Sequence, residues 1–323
     1  MSDLRKVQQT PTGTFFVCVP KSWAQQNGLK RGSMVNLDVT GDGKLFVDAK
    51  YNSEPPQKIV TLPVSAFISR EIIGRYLLGF DVICIKANDR IDLDVRATVK
   101  STVSSLVGLE IVEETYSQVV LQCLLDPSGS QPEKILRRNY AIVSGMAHDV
   151  TNAFINGDLQ LAKTVIARDV ESNRLYFLLV RILRTIIQTP RLSEKLGITP
   201  IDCLDYRLAA SLLESMGDAC VQVATKTLNL YGFKPSGEIS KLLIALQTVC
   251  LEANEQAVTS FINKDMSLAE NVRKAKTRLQ DIYADIEKVA KNQPVDVIPQ
   301  LLAAISFIRQ IYEHSLDLAD LVA

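Results

Sequence analysis

The sequence predicts a multidomain α+β protein with an N-terminal β domain, a small α+β middle domain and a C-terminal all-α region of tandem three-helix bundles. Three observations predict this fold class. Strand-like alternation fills about the first fifty residues, strand and helix patterns then alternate to about residue 125, and the pattern from Glu133 onward is helical. The length of 323 residues fits two or more domains.

Short strands and one short helix are predicted for residues 1–51. A β-rich run covers 14–19, and strict apolar–polar alternation over 35–39 turns back into 44–47 as a hairpin. The segment Pro20–Gly28 is typical of a short helix, with proline in the first turn and glycine as the left-handed cap. Because so small a unit buries little core alone, we expect it to need a partner chain or the rest of this one.

The middle domain is predicted over residues 58–126. Its strands and helices are expected at 59–62, 71–78, 81–85 and 94–106, followed by a hairpin over 109–122. A linker rich in proline, serine and glycine then separates this domain from the helical region.

An internal repeat organises the helical region, residues 133–323. The segment Phe154–Asp158 matches Phe261–Asp265 at an offset of 107 residues. Breaks containing glycine, asparagine or proline divide the region into six helices in two groups of three, which gives repeats over 133–232 and 237–323. The sequence therefore predicts two three-helix bundles in tandem.

Four oxygen-bearing side chains of the first repeat form a candidate metal site. Asp169 and Asn173 lie four residues apart on the second helix, and Glu214 and Asp218 lie four apart on the third, so each pair shares one helix face. If these helices are neighbours, the four side chains converge on a divalent or iron-type metal ion, because such ions accept oxygen-only ligands. The alternative is that all four are ordinary solvated surface residues.

Composition and motifs exclude several functional classes. Thirty-six basic and 36 acidic residues give a formal net charge of zero, so DNA binding requires a local patch rather than bulk charge. The sequence has two histidines and contains no P-loop, no G-x-S-x-G motif and no Cys/His nucleophile arrangement. We therefore expect a protein that is not an enzyme.

Cysteine usage and hydropathy predict the compartment. Six cysteines lie far apart in apolar settings with no C-x-x-C pair, which favours reduced, buried thiols over disulfides or a zinc ribbon. The sequence has no N-terminal signal-like apolar region and no run of about 18 uncharged apolar residues. We expect a cytoplasmic protein without membrane insertion.

The helical region resembles PhoU phosphate-uptake regulators. The segment Leu213–Ala219 resembles the third-helix signature of that family, close to L-E-R-I-G-D-x-A, and Asp169–Leu175 is similar to its acidic second-helix motif. The doubled three-helix bundle is also the PhoU architecture. The resemblance spans about residues 133–323 and implies a non-enzymatic regulator of phosphate uptake that contacts phosphate-transport or signalling proteins.

The resemblance also implies multinuclear iron or zinc clusters bound through E/D-x-x-x-D motifs in both repeats. In the second repeat, however, cations stand at two of the four positions, so a second cluster is not expected there. The aligned second-repeat residues are Lys276, Gln280, Arg309 and Glu313.

The N-terminal domain resembles a SpoVT/AbrB-type swapped-hairpin domain over Gly13–Ala24 and Gly28–Val35. This resemblance implies a homodimer of interleaved hairpins that often binds DNA through basic loops. Such a domain on a PhoU-like body is associated with archaeal phosphate-uptake regulators. Residues 1–51 contain seven basic and four acidic residues, a net charge of +3 that doubles in a dimer. The candidate DNA-binding residues are Arg5, Lys6, Lys21, Lys30 and Arg31.

The sequence is consistent with three functional hypotheses. The first is a dimeric DNA-binding transcriptional regulator of phosphate homeostasis. The second is a helical-bundle protein that binds metal through carboxylates, and the third is a protein-interaction scaffold without DNA binding.

Overall fold

The computed structural model describes residues 4–39, 43–49 and 57–322. The chain divides into two compact units, residues 1–57 and 58–323. The fold class agrees with the sequence prediction: small strand hairpins, then a small sheet with helices, then a helical bundle. The tight turn predicted before residue 44 falls partly on residues 40–42, outside the described ranges.

The N-terminal unit consists of two antiparallel hairpins and a short helix. The first hairpin pairs the two short strands β1 and β2, and the second pairs β3 with β4. No residue described between positions 4 and 49 is buried, and large apolar side chains such as Phe15 and Val39 are 69% and 72% exposed. The expectation that this unit cannot form a core alone is therefore met. Its elements are β1 Gln8–Gln9, β2 Phe15–Phe16, α1 Lys21–Gln26, β3 Asn36–Val39 and β4 Leu45–Asp48.

The second unit begins with a four-stranded sheet in the order β5-β6-β8-β7. Strands β5 and β6 are parallel and the other pairs are antiparallel, so β7 is an edge strand. The apolar face of the sheet packs with α2 and α3 into a core of its own. The elements are β5 Ile59–Pro63, α2 Ile68–Leu77, β6 Val82–Lys86, α3 Leu93–Ser104, β7 Leu109–Glu114 and β8 Gln118–Cys123.

Seven helices follow within the described part of the chain, one more than predicted. The extra helix is α6, a two-turn segment that starts at Pro190 and ends at the left-handed Gly197. The sequence has helix-breaking residues at both of its ends. Its pattern did not predict the helix, because seven residues are too few to show a clear period. The helices are α4 Pro132–Asn156, α5 Leu159–Gln188, α6 Pro190–Leu196, α7 Pro200–Asn229, α8 Gly237–Asn263, α9 Met266–Ala290 and α10 Ile298–Ala319.

The sequence repeat corresponds to a repeated helix–helix turn. Asp158 caps α5 by accepting hydrogen bonds from two backbone N–H groups, and Asp265 caps α9 in the same way. The residue before each aspartate is left-handed, with φ of 62° at Gly157 and 54° at Lys264. A Cβ on Gly157 would approach Gly232 O to 2.5 Å, so only glycine fits the first turn.

The two repeats share one hydrophobic core. Helices α4, α5 and α7 pack together, as do α8, α9 and α10, and the pairs α7–α10 and α4–α8 join the bundles. The side chain of Gln247 on α8 strengthens this junction by donating to the carbonyls of Ala147 and His148 on α4. No helix in the described ranges is both long enough and apolar enough to cross a membrane.

The cysteines divide according to the unit that holds them. Four are buried in the second unit and Cys84 there is half-buried, whereas Cys18 in the N-terminal unit is exposed. The prediction of buried thiols is therefore wrong for Cys18, because its unit has no core. Burial raises the pKa of Cys203 to about 11 and that of Cys250 to about 12, which makes these thiols poor nucleophiles. The buried four are Cys123, Cys203, Cys220 and Cys250.

A buried arginine attaches the α+β domain to the helical bundle. Arg181 on α5 is 4% exposed, and its Nη1 donates to Tyr76 O at 2.6 Å and to Phe80 O at 3.0 Å. Its guanidinium also lies 4.9 Å from the centroid of the Tyr76 ring. These contacts satisfy carbonyls at the C-terminal end of α2, where the helix dipole favours a cation.

We predict that Arg181→Met lowers the free energy of unfolding of the second unit by about 3 kcal/mol, because two carbonyls would lose their charged donor. Urea denaturation followed by circular dichroism measures this change. Arg184→Met is the matched control: Arg184 lies three residues further on the same helix and is exposed, so a change within about 0.5 kcal/mol is expected. Equal stability of the two variants would contradict the anchoring role.

Candidate functional site

The four acidic-motif residues meet at the contact between α5 and α7. Asp169 and Asn173 come from α5, and Glu214 and Asp218 come from α7. Gly217 of α7 lies at this contact, since a Cβ there would be 3.4 Å from Asp169 Oδ1, an ordinary van der Waals distance. We call the four side chains the acidic cluster.

Hydrogen bonds orient the α5 half of the acidic cluster. Asn173 Nδ2 donates to Asp169 Oδ2 at 2.8 Å. The other carboxylate oxygen, Asp169 Oδ1, is buried and has no hydrogen-bond partner among the described residues. Next to it, Ser172 donates to Asn139 Oδ1 at 2.8 Å and ties α5 to α4. A buried carboxylate oxygen without a donor is unfavourable and leaves a position for a cation or a donor from outside.

Electrostatics couple the two helices of the acidic cluster. Burial raises the pKa of Asp169, the negative charge of Asp218 raises it further, and the hydrogen bond from Asn173 partly opposes both effects. Burial also raises the pKa of Glu214, with further increases from Asp218 and Asp169 and a smaller opposing effect of Arg207. The cluster therefore carries negative charge that its surroundings do not neutralise.

The donor set of the acidic cluster fits a hard cation, but the ligands are not arranged around one. The cluster offers carboxylate and amide oxygens and uncompensated negative charge, as such ions require. Among the described residues, however, no three His, Cys, Asp or Glu side chains already surround a common point as metal ligands.

At the equivalent positions of the second repeat, Arg309 and Glu313 neutralise each other's charge. Arg309 Nε donates to Glu313 Oε1 at 3.1 Å, and the Arg309 guanidinium lies 5.1 Å from the Tyr283 ring centroid. The first repeat has a similar cation–π pair, with Arg207 4.9 Å from the Tyr176 ring. The sequence pattern did not predict either cation–π pair, although the two tyrosines match at the repeat offset of 107 residues.

The five predicted DNA-binding cations lie on two segments of the N-terminal unit. Arg5 and Lys6 precede β1, whereas Lys21 begins α1 and Lys30 and Arg31 lie in the turn that follows it. The side chain of Ser33 holds this turn by accepting the Lys30 N–H at 2.9 Å. All five side chains are exposed, so each is accessible to a polyanion.

The fold and the acidic cluster define a helical-bundle protein built from tandem three-helix repeats, preceded by an α+β domain and a β-hairpin unit. Comparison with protein families gives the domains their names. Residues 136–227 match the PhoU domain, and residues 8–56 match the bacterial antitoxin family described as antidote-toxin recognition MazE. The chain therefore carries a PhoU domain and an N-terminal MazE/AbrB-type domain, as both sequence resemblances predicted.

A solved PhoU structure supports the fold. PhoU from Pseudomonas aeruginosa is 18% identical and gives a TM-score of 0.53, with 59% of this chain and 93% of that chain covered. The phosphate transport system regulatory protein PhoU from Streptococcus pneumoniae is 15% identical, with a TM-score of 0.49 and coverages of 59% and 91%. Comparison with curated proteins gives no match.

We predict that Asp218→Asn stabilises the protein at pH 7 in metal-free buffer by about 0.5–1 kcal/mol, the scale of a solvent-screened charge interaction. Because the pKa values of Asp169 and Glu214 are raised, ionisation of the cluster opposes folding. This penalty is absent at low pH and develops as the pH rises through the raised values. The gain should therefore disappear near pH 3, where carboxyl groups are protonated.

Thermal unfolding at both pH values measures this effect. Asp281→Asn is the control, because Asp281 is an exposed acid on α9 of the other repeat and should change stability little at either pH. Destabilisation by Asp218→Asn at pH 7 would show that the cluster is not repulsive.

Proposed function

We propose that this protein is a non-enzymatic regulator of phosphate uptake and homeostasis that works as a dimer and binds DNA. The observation that carries the proposal is the presence, on one chain, of a PhoU domain at residues 136–227 and a MazE/AbrB-type domain at residues 8–56. In this proposal the helical region, residues 133–323 (the helical body), contacts phosphate-transport or signalling proteins, and the N-terminal unit contacts DNA.

Exposed apolar surface on the N-terminal unit supports dimerisation through it. Phe15, Met34 and Val39 are each about 70% exposed, and no residue described between positions 4 and 49 is buried. Apolar surface of this extent is unfavourable in water and marks an interaction site. A second copy of the same unit would cover it by interleaving the hairpins, which also closes the unpaired edges of the two-stranded sheets.

Local positive charge supports the DNA-binding role. The net charge of +3 in residues 1–51 becomes +6 in a dimer, although the whole chain is neutral. Neutralisation of phosphates by lysine and arginine provides most of the affinity in such interfaces. The exposed positions of Lys21, Lys30 and Arg31 around α1 are consistent with a basic surface of this kind.

A second candidate function is metal binding by the helical region. It is supported by the buried Asp169 Oδ1, which has no hydrogen-bond partner among the described residues. A divalent or iron-type ion bound by Asp169, Asn173, Glu214 and Asp218 would neutralise the acidic cluster and give that oxygen a partner. The chemistry supplied would be charge neutralisation and cross-linking of α5 to α7. In this case Mn²⁺ should raise the melting temperature, and Asp218→Asn should reduce that increase.

We predict that the full chain binds promoter DNA of its own phosphate-transport genes more tightly than random DNA, and that Arg5/Lys6/Lys21→Ala abolishes the preference. Fluorescence anisotropy at two salt concentrations measures both properties. The salt slope should fall by about 0.9 for each phosphate contact removed.

The control for this experiment removes the same charge from the helical body. Lys163/Lys234/Lys241→Ala changes three exposed lysines there and should leave DNA binding unchanged. If the native chain shows no preference over random DNA, the N-terminal unit only dimerises, and the DNA-binding proposal fails.

We predict that Phe15→Glu converts the dimer to a monomer, because a carboxylate would have to be buried in the covered apolar surface. Analytical ultracentrifugation measures the mass. Phe67→Glu is the matched control, since Phe67 in the α+β domain is 68% exposed and Phe15 is 69% exposed. A dimer that survives Phe15→Glu, or a native chain that is monomeric, would disprove association through this unit.

A further inference from the structure

Strand β5 forms one edge of the four-stranded sheet, and alternate backbone groups along it point away from the sheet. Its neighbour in the sheet is β6, in parallel register. Lys58 O accepts the N–H of Val82 at 3.2 Å, and Val64 N–H donates to the last residue of β6 at 3.3 Å. Because alternate residues of a strand bond to a given neighbour, the even-numbered residues here bond to β6. The N–H and C=O groups of Ile59 and Thr61 therefore face outward.

These outward groups have no partner in the part of the chain that the structure describes. Within that part, no backbone or side-chain group bonds to the N–H or C=O of Ile59 or Thr61. Ile59 is 59% exposed and Thr61 is also exposed, so solvent reaches this edge. Pro63, the next outward residue, has no N–H and ends the stretch. We call the outward backbone groups of Ile59 and Thr61 the free edge.

The opposite edge of the sheet is protected against pairing with another strand. Edge strand β7 carries Glu110, Glu113 and Glu114, and its register shifts at a bulge between Ile111 and Glu113. Charged side chains and bulges are common means of keeping an edge from pairing. The segment Ile59–Pro63 has no charged residue and an unbroken register, so only its terminal proline limits pairing.

Two lysines flank the free edge on opposite faces of the sheet. Lys58 directly precedes β5, and Lys86 ends β6 five register positions further along. Side chains alternate between the faces of a strand, so Lys58 shares the face of the buried Leu62, whereas Lys86 lies on the face opposite to the buried Ile85. Lys58 Nζ donates to the neutral side chain of Gln188 at 2.5 Å. Neither lysine forms an ion pair with another described residue.

We propose that the free edge of β5 binds an extended peptide segment of another protein by strand addition, and that acidic residues flank the uncharged centre of this segment. An extended backbone presents N–H and C=O groups at the same alternating spacing as the free edge. Acidic residues five positions apart on such a segment lie on opposite faces, as Lys58 and Lys86 do, so each can form an ion pair.

The added strand would also cover exposed apolar surface. A neighbouring side chain of the bound segment would pack on Ile59, as cross-strand pairs do in sheets. This peptide site belongs to the α+β domain, so it depends neither on DNA binding nor on the proposed role in phosphate uptake.

Fluorescence anisotropy with the full chain tests the proposal with a labelled peptide, Glu-Val-Thr-Val-Thr-Glu, blocked at both ends. Two N-methylated forms keep its side chains, one methylated at both valines and the other at both threonines. Alternate N–H groups of a bound strand face the edge, so one form should bind about tenfold more weakly and the other as the parent does. A peptide with lysine in place of both glutamates should bind more weakly than the parent, most of all at low salt.

Two variants of Thr61 separate recognition of the backbone from recognition of the side chain. Thr61→Pro removes an outward N–H that β6 does not use, and it should weaken binding of the parent peptide about tenfold. Thr61→Ala is the matched control, because it keeps this N–H, and it should bind the peptide as the native chain does. Circular dichroism and melting temperatures establish that both variants are folded.

The proposal is overturned if the parent peptide does not bind, if both N-methylated forms bind equally, or if Thr61→Pro binds the peptide as the native chain does. A second copy of the chain is the other occupant that a free edge admits. If the Phe15→Glu chain remains a dimer and adding Thr61→Pro makes it a monomer, the edge pairs with itself and the peptide proposal fails.

Discussion

The buried guanidinium of Arg181 is the constraint that orients the second unit. It lies within α5 and satisfies two carbonyls at the end of α2, so it ties the α+β sheet domain to the helical bundle. Phe177, one turn earlier on the same helix, packs against the core of the sheet domain. An adjacent face of α5 carries Asp169 towards α7. One helix therefore contributes to both the domain junction and the acidic cluster.

Duplication of the bundle preserved its architecture and changed its chemistry. Both repeats keep the aspartate-capped turn, with Asp158 and Asp265 in the same role, because a helix start needs acceptors for its free N–H groups whatever the function. The polar residues on the second and third helices of each repeat are under no such requirement. In the first repeat they form an unneutralised acidic cluster, whereas Arg309 and Glu313 neutralise each other in the second.

The N-terminal unit differs from the rest of the chain in its burial of side chains. The second unit buries two cores of its own, whereas no residue described between positions 4 and 49 is buried. Its strands are too short and too few to cover an apolar face. The exposed Cys18, which the sequence pattern assigns to a buried environment, has the same cause. Burial is a property of the whole unit, and an apolar run of residues does not guarantee it.

Local periodicity was sufficient to predict the three-part fold, the tandem repeat and the pairing of Asp169 with Asn173 on one helix face, because each depends on residues close in sequence. Pattern alone did not predict the short helix α6 or the role of Arg181. Arg181 follows the helical pattern of α5 like a surface residue, and only its contact with the α+β domain buries it. The tertiary structure also decided that α5 and α7 are neighbours, which brings the acidic side chains together and raises the pKa values of Asp169 and Glu214. Such effects depend on distances between segments remote in sequence, which packing alone determines.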